Sequence, residues 1–302
     1  MNETASTSSR NHPRAFAVSV VWTLFLLFLG SVVHATGSSL ACPDWPTCYG
    51  TMVPEMSGGV FWEHLHRLVA GGLLLMWILA TWFAYRETSK DSPVFKGALA
   101  GVVLLLIQSL FGGITVLLKL PAWVSTTHLA LALTFLVLAT VLASATGWAR
   151  TPTPDPSSRR WAVAGGIFVF VQSVLGALVR HTDSGLMCPD APLCLGRVIP
   201  PLGDPHIAIH FAHRAVGILA ALVVIAFAFQ ATRTRAPRQV RVLASWAALL
   251  ILVQVTLGFL SVLTRLAVVP VSLHTLFAAG LLAMLTHLAT ATRDGSPTPA
   301  GA

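Results

Sequence analysis

Charged side chains are scarce in this chain. Only 10% of its 302 residues are Asp, Glu, Lys or Arg, where an average soluble domain carries roughly a quarter, and this excludes an ordinary soluble enzyme. Acid is scarcer than base, 11 residues against 19, which leaves a formal charge of +8. Cysteine is sparse too: four residues cannot scaffold a chain of this length, so their positions carry more information than their number. What fills the space is hydrophobic, 55% of residues with a mean hydropathy of +0.76. At about 20 apolar residues per membrane-crossing helix this supplies about eight spans, and a polytopic membrane protein is the class that fits.

Charge-poor runs fall at 15–33, 61–84, 97–118, 124–148, 161–179, 208–231, 242–264 and 268–290, each long enough to cross a bilayer as a helix. With the N-terminus in the cytoplasm, thirteen of the nineteen basic residues fall on the cytoplasmic side, and the positive-inside rule places both termini there. The +8 is therefore a topology signal, and it does not call for nucleic acid. Arg10 and Arg14 before the first run, and Val33-His34-Ala35 after it, imitate a secretory signal, but 19 residues exceed a usual signal core. Residues 1–14 and 291–302 read as disordered cytoplasmic tails. Residues 149–160, rich in Pro, Ser and Thr, read as a cytoplasmic linker between an N-terminal half (15–148) and a C-terminal half (161–290).

A shift of 146 places Gly30–Gly50 on Gly176–Gly196 with eleven identities in twenty-one positions, including both cysteines of each stretch. The same shift, within one residue, pairs His66-Arg67 with His213-Arg214, Gln108 with Gln254, Gly112 with Gly258 and His128 with His274. Each half has an even number of spans, so the two share one orientation about an axis along the membrane normal. The expected fold is an all-α integral membrane protein, eight transmembrane helices forming two tandem four-helix bundles related by a pseudo-twofold.

His66, His128, His213 and His274 all lie near the starts of helices that run from outside to inside, at one depth in the outer half of the membrane. A neutral imidazole is a good iron ligand, and two from facing helices hold a haem from both sides. A lone histidine in a span is as well explained by an interhelical hydrogen bond; four at repeated positions favour ligation, and zinc is disfavoured because it wants four ligands or three plus water. Arg67 and Arg214 stand where they would either pair with haem propionates or snorkel to headgroups. Glu63 lies one turn before His66, on the same face, and its counterpart in the second half is His210. It either takes a proton or stabilises a cation beside one cofactor, or pairs with Arg67 or Lys119. His34, His64, His181, His206 and His287 receive no role. The cysteine loops lie on the disulfide-permissive side, with Cys42 bridged to Cys48 and Cys188 to Cys194, as staples over the sites or as a redox-active pair; a four-cysteine metal site is disfavoured.

With these residues in place, the chain from about 15 to 290 resembles the haem A synthase family, membrane enzymes that make haem A for terminal oxidases. The resemblance rests on eight spans in two repeats, Glu63-x-x-His66-Arg67, His128, His213-Arg214, His274 and a cysteine pair in each outer loop. It implies that the N-terminal half holds substrate haem O between His66 and His128, with Glu63 beside the reacting edge. The C-terminal half would hold haem B on His213 and His274. The implied reaction oxidises the C8 methyl of haem O by successive hydroxylations to a gem-diol that loses water to give a formyl group. Six-coordinate iron has no open position for dioxygen, so either a ligand is labile or electrons leave outward and water attacks. Implied partners are a haem O synthase and an electron-transfer partner, with an oligomer left open and the cell membrane as location. Ala191 in place of Trp45, and His210 in place of Glu63, depart from the repeat, and the second raises His210 as a competitor of His213. The main rival class, a di-haem b-type cytochrome for quinone-linked electron transfer, would place haems toward opposite faces. A transporter would show helices broken at the midplane.

Overall fold

The computed structural model describes residues 10–147 and 155–290. Eight α-helices form its frame: α1 (His12–Ala35), α2 (Gly58–Glu87), α3 (Pro93–Leu117), α4 (Ala122–Ala145), α5 (Pro156–His181), α6 (Pro205–Arg233), α7 (Arg238–Leu263) and α8 (Val268–Thr290). All eight are long and apolar enough to cross a membrane. Among the described residues there is no strand, only isolated bridges between Cys48 and Thr51 and between Cys194 and Arg197.

Side-chain caps carry the starts of three helices a few residues ahead of their apolar runs. Ser92 Oγ accepts from the Phe95 amide at the start of α3, the Asp155 carboxylate from Ser157 and Ser158 at α5, and the Asp204 carboxylate from His206 at α6. In all three the next residue is proline, whose missing N–H costs nothing at a first helical position. Helix α1 is capped from outside itself: the Glu87 carboxylate at the end of α2 accepts from the amides of Asn11 and His12 and from His12 Nδ1. Two boundaries differ from expectation for this reason. Helix α5 starts at Pro156, inside the stretch expected to be linker, and α1 starts at His12, inside the expected tail. Residues 1–9, 148–154 and 291–302, where the rest of the tails and linker fall, lie outside the described residues.

Within each half the packing forms a square. Helix α1 touches α2 and α4, and α3 touches the same two; α5 to α8 repeat this pattern. The histidine-bearing helices, α2 with α4 and α6 with α8, are thus diagonal partners. The halves meet along α1–α8, α4–α5 and α4–α8. One apolar core fills the first half around Phe16, Trp77 and Phe135. A second spans the seam, with Leu27, Leu133 and Leu136 packed among Val224, Phe227 and Leu285. Large apolar side chains also cover the outside, such as Leu75, 69% exposed, and Phe229, 59% exposed. In water this would be costly, whereas a lipid surround accepts it.

Candidate functional site

The four histidines sit in four matching cradles. A Cβ added at Gly30 of α1 would lie 3.0 Å from His66 Cε1, and one at Gly112 of α3 would lie 3.0 Å from His128 Cε1. In the second half the distances are 2.9 Å from Gly176 to His213 and 3.1 Å from Gly258 to His274. Contacts this short mean that a methyl group at any of the four would press on the ring, so each glycine lets an imidazole come close to a neighbouring backbone. The repeat pairs all four glycines; their packing role is visible only in three dimensions.

His213 and His274 face each other across the diagonal, their ring centroids 6.5 Å apart and their planes at 74°. Two metal–nitrogen bonds of about 2 Å each, plus the two ring radii, bring coaxial imidazole centroids to roughly 6 Å. His274 Nδ1 lies 3.1 Å from the Gln254 carbonyl, and His128 Nδ1 3.1 Å from the Gln108 carbonyl. A carbonyl only accepts, so in both rings the proton sits on Nδ1 and the lone pair on Nε2, the tautomer a metal ligand needs. Gln172 Nε2 lies 3.3 Å from His213 Nε2, and Gln108 Nε2 lies 3.4 Å from His128 Nε2. Around the rings, Nδ1 of His66 and His213 and Oε1 of Gln108, Gln172 and Gln254 are buried with no hydrogen-bond partner among the described residues. Such clusters are rare in finished interiors and call for a bound group. No three His, Cys, Asp or Glu side chains among the described residues converge as a metal-ion set, so the donors come as imidazole pairs, which suits a tetrapyrrole iron and not zinc.

Above each pair lies a cysteine loop. Both disulfides are present, Cys42–Cys48 and Cys188–Cys194. In each loop an aspartate folds the chain back: Asp44 accepts from the amides of Tyr49 and Gly50 and from the Thr47 hydroxyl, Asp190 from the amides of Leu195 and Gly196. These donors hold both carboxyls below their ordinary pKa. Tyr49 and Gly50, like Leu195 and Gly196, take left-handed backbone conformations, and the peptides before Pro46 and Pro192 are cis.

The arginines reach into the cysteine loops. Arg67 Nη1 donates to the carbonyls of Asp44 and Thr47 at 2.7 and 2.6 Å, and Nη2 to Cys42 at 3.3 Å. Arg214 repeats this with Asp190, Leu193 and Cys188 at 2.7, 2.6 and 2.6 Å. Glu63, 4% exposed, pairs with Arg67 at 2.6 Å and accepts from the Cys42 amide at 2.8 Å; Lys119 is not its partner. His210 occupies the matching place as a neutral ring. Arg214 Nε donates to its Nε2 at 3.2 Å, which puts the proton on Nδ1, 2.8 Å from the Ser184 carbonyl. Both nitrogens of His210 are engaged.

The halves also differ at the loops. Trp45 lies over α3, where a Cβ on Gly113 would come within 2.6 Å of its Cδ2; Ala191 provides no such ring. Of the histidines without an expected role, His206 bonds to Ser184 and His287 to Ser144 across the seam, His64 is buried in α2, and His34 packs edge-on against His181.

The model of the COX15-CtaA family, described as cytochrome oxidase assembly protein, matches residues 14–59 and 55–286. The chain is 30% identical over 296 residues to the heme A synthase of Symbiobacterium thermophilum, covering 90% of this chain and 93% of that one. It is 30% identical over 275 residues to the heme A synthase of Geobacillus kaustophilus (88% and 86%) and 29% identical over 292 residues to that of Shewanella oneidensis (82% and 87%).

Proposed function

The chain belongs to the COX15-CtaA family of cytochrome oxidase assembly proteins, and from that membership we propose that it is a haem A synthase. It oxidises the C8 methyl of haem O to a formyl group and so acts as an oxidoreductase in haem A biosynthesis. One observation carries the reading to this chain's own residues: two imidazole pairs stand on the diagonals of two matching bundles, and among the described residues only one pair has a carboxylate beside it. A di-haem cytochrome for quinone-linked electron transfer is not favoured, since the relatives are named for the synthase.

The N-terminal half takes the substrate, with His66 and His128 flanking the haem O iron. The C-terminal half holds haem B between His213 and His274, which supplies an electron carrier when bound. Gly30, Gly112, Gly176 and Gly258 set the ring orientations. Glu63 lies one turn from His66, where it takes up a proton released as the methyl is oxidised. Arg67 and the Cys42 amide hold that carboxylate in place, and Trp45 covers the outer end of α3. His210, neutral at the matching position, suits a site that only transfers electrons.

The two bundles are related by a pseudo-twofold along the membrane normal. The chain lies in the cell membrane with both termini cytoplasmic and the cysteine loops outside, receiving haem O from a haem O synthase and passing electrons to a redox partner. Expression in a host that makes haem O but no haem A tests the reading: extracted haems are expected to include the formyl product. A folded, haem-loaded protein that yields none overturns it.

A further inference from the structure

We propose that Arg180, at the seam between the halves, binds a carboxylate of the tetrapyrrole held by His213 and His274. The inference rests on the haem reading above, and four observations about this arginine support it.

First, Arg180 has no acid. The ion pairs among the described residues are His12–Glu87, Arg67–Glu63 and Lys96–Asp91. A half-buried cation in a membrane span without a counter-ion is costly, and such residues mark ligand sites. Second, its guanidinium turns into the protein. Nη1 donates to Ser31 Oγ at 3.1 Å and Nη2 to the Ser31 carbonyl at 3.0 Å. Two of five donors are spent, which leaves a planar fork suited to a carboxylate.

Third, two links tie Arg180 to the helices around the second imidazole pair. It lies four residues beyond Gly176, the glycine under His213. Its partner Ser31 bonds at 3.1 Å to Thr275, the residue after His274. The neighbouring polar groups are hydroxyls and neutral rings: His181 with Thr126 at 3.1 Å, and His34 against His181 at 5.5 Å between centroids. Fourth, the arginines nearest the ligands in sequence are already engaged. Arg67 and Arg214 each hold three loop carbonyls. The shift of 146 puts His34 opposite Arg180, so the guanidinium belongs to one half only.

The test uses two ligands of one shape. Protohaem carries two propionate carboxylates; its dimethyl ester keeps the ring and iron but has none. Full-length protein in a His66→Ala background, which leaves the second imidazole pair intact, is depleted of haem, held in detergent and titrated with each ligand, reading the low-spin absorbance. Arg180→Gln is expected to weaken protohaem binding about tenfold or more, the loss of a charge-assisted bond, and to leave the diester unchanged. Equal weakening of both ligands, or of neither, overturns the proposal. Should Arg180→Gln fail to fold, Arg180→Lys keeps the charge without the fork; it is expected to lose protohaem affinity selectively, and an unchanged ratio of the two affinities overturns the proposal. Failure of the parent protein to give a low-spin signal with either ligand overturns the imidazole-pair reading, and this inference with it.

Discussion

Arg67 donates to Glu63 across 2.6 Å on one face of α2, and the same guanidinium grips the carbonyls of Asp44 and Thr47 in the disulfide loop above. The carboxylate nearest His66 is therefore fastened to the disulfide loop, and the loop to the site. In the second half Arg214 makes the same grip, with the neutral ring of His210 in place of the acid. One architecture thus presents two electrostatic environments, and the charge difference follows from a single residue.

Glu63→Gln keeps an acceptor for Arg67 and the Cys42 amide but removes the charge. Haem content, read from the visible spectrum, is expected to stay near wild type while haem A yield falls at least a hundredfold, the lower end of what a positioned proton acceptor contributes. Normal haem A from this variant would make Glu63 a loop anchor only. Arg67→Ala, which strands a buried carboxylate, is expected to cost about 3 kcal/mol of stability.

Gly176→Ala places a methyl 2.9 Å from His213 Cε1, so the ring must turn or α5 must shift. The reduced-minus-oxidised spectrum is expected to lose its low-spin contribution from the second half. Gly71→Ala, with no neighbour within 4 Å, is the control and should leave the spectrum unchanged; equal spectra for both variants would remove the cradle from the argument.

Gly113→Ala drives a methyl into the Trp45 ring, 2.6 Å away, at an overpacking cost of about 1–3 kcal/mol. Adding Trp45→Ala should recover most of that loss in thermal melts. Strictly additive effects would mean that the two residues do not touch.

Each disulfide closes a short loop, six residues apart in sequence, and removes little chain entropy, about 2 kcal/mol. Arg214 holds the same loop by three short bonds from a charged donor, each of the stronger class. The double variant Cys188→Ser, Cys194→Ser is therefore expected to melt above Arg214→Ala. The opposite order would assign the loop's order to the covalent link.

Much of the site was legible in the chain. The imidazole pairs, the cysteine pairs and the lone Glu63 follow from spacing and from a shift of 146, because a repeat copies chemistry to equivalent depths. The helix starts at Pro93, Pro156 and Pro205 were written in a capping residue followed by proline, although the apolar runs alone placed each start a few residues late. The partners of Arg67 and Arg214 were not legible. Lipid and propionate are the usual partners of an arginine at a membrane boundary, and no local pattern announces that loop carbonyls take their place.

The sequence by itself determined the membrane class, the eight spans and the repeat, since hydropathy and repetition are properties of stretches read in order. Only the tertiary structure decided which groups meet: the glycine under each imidazole, the engagement of both His210 nitrogens, and Arg180 reaching Ser31 across 149 positions. Those meetings depend on how each helix is rotated about its axis and on which helix stands beside it, and packing across the bundle sets both.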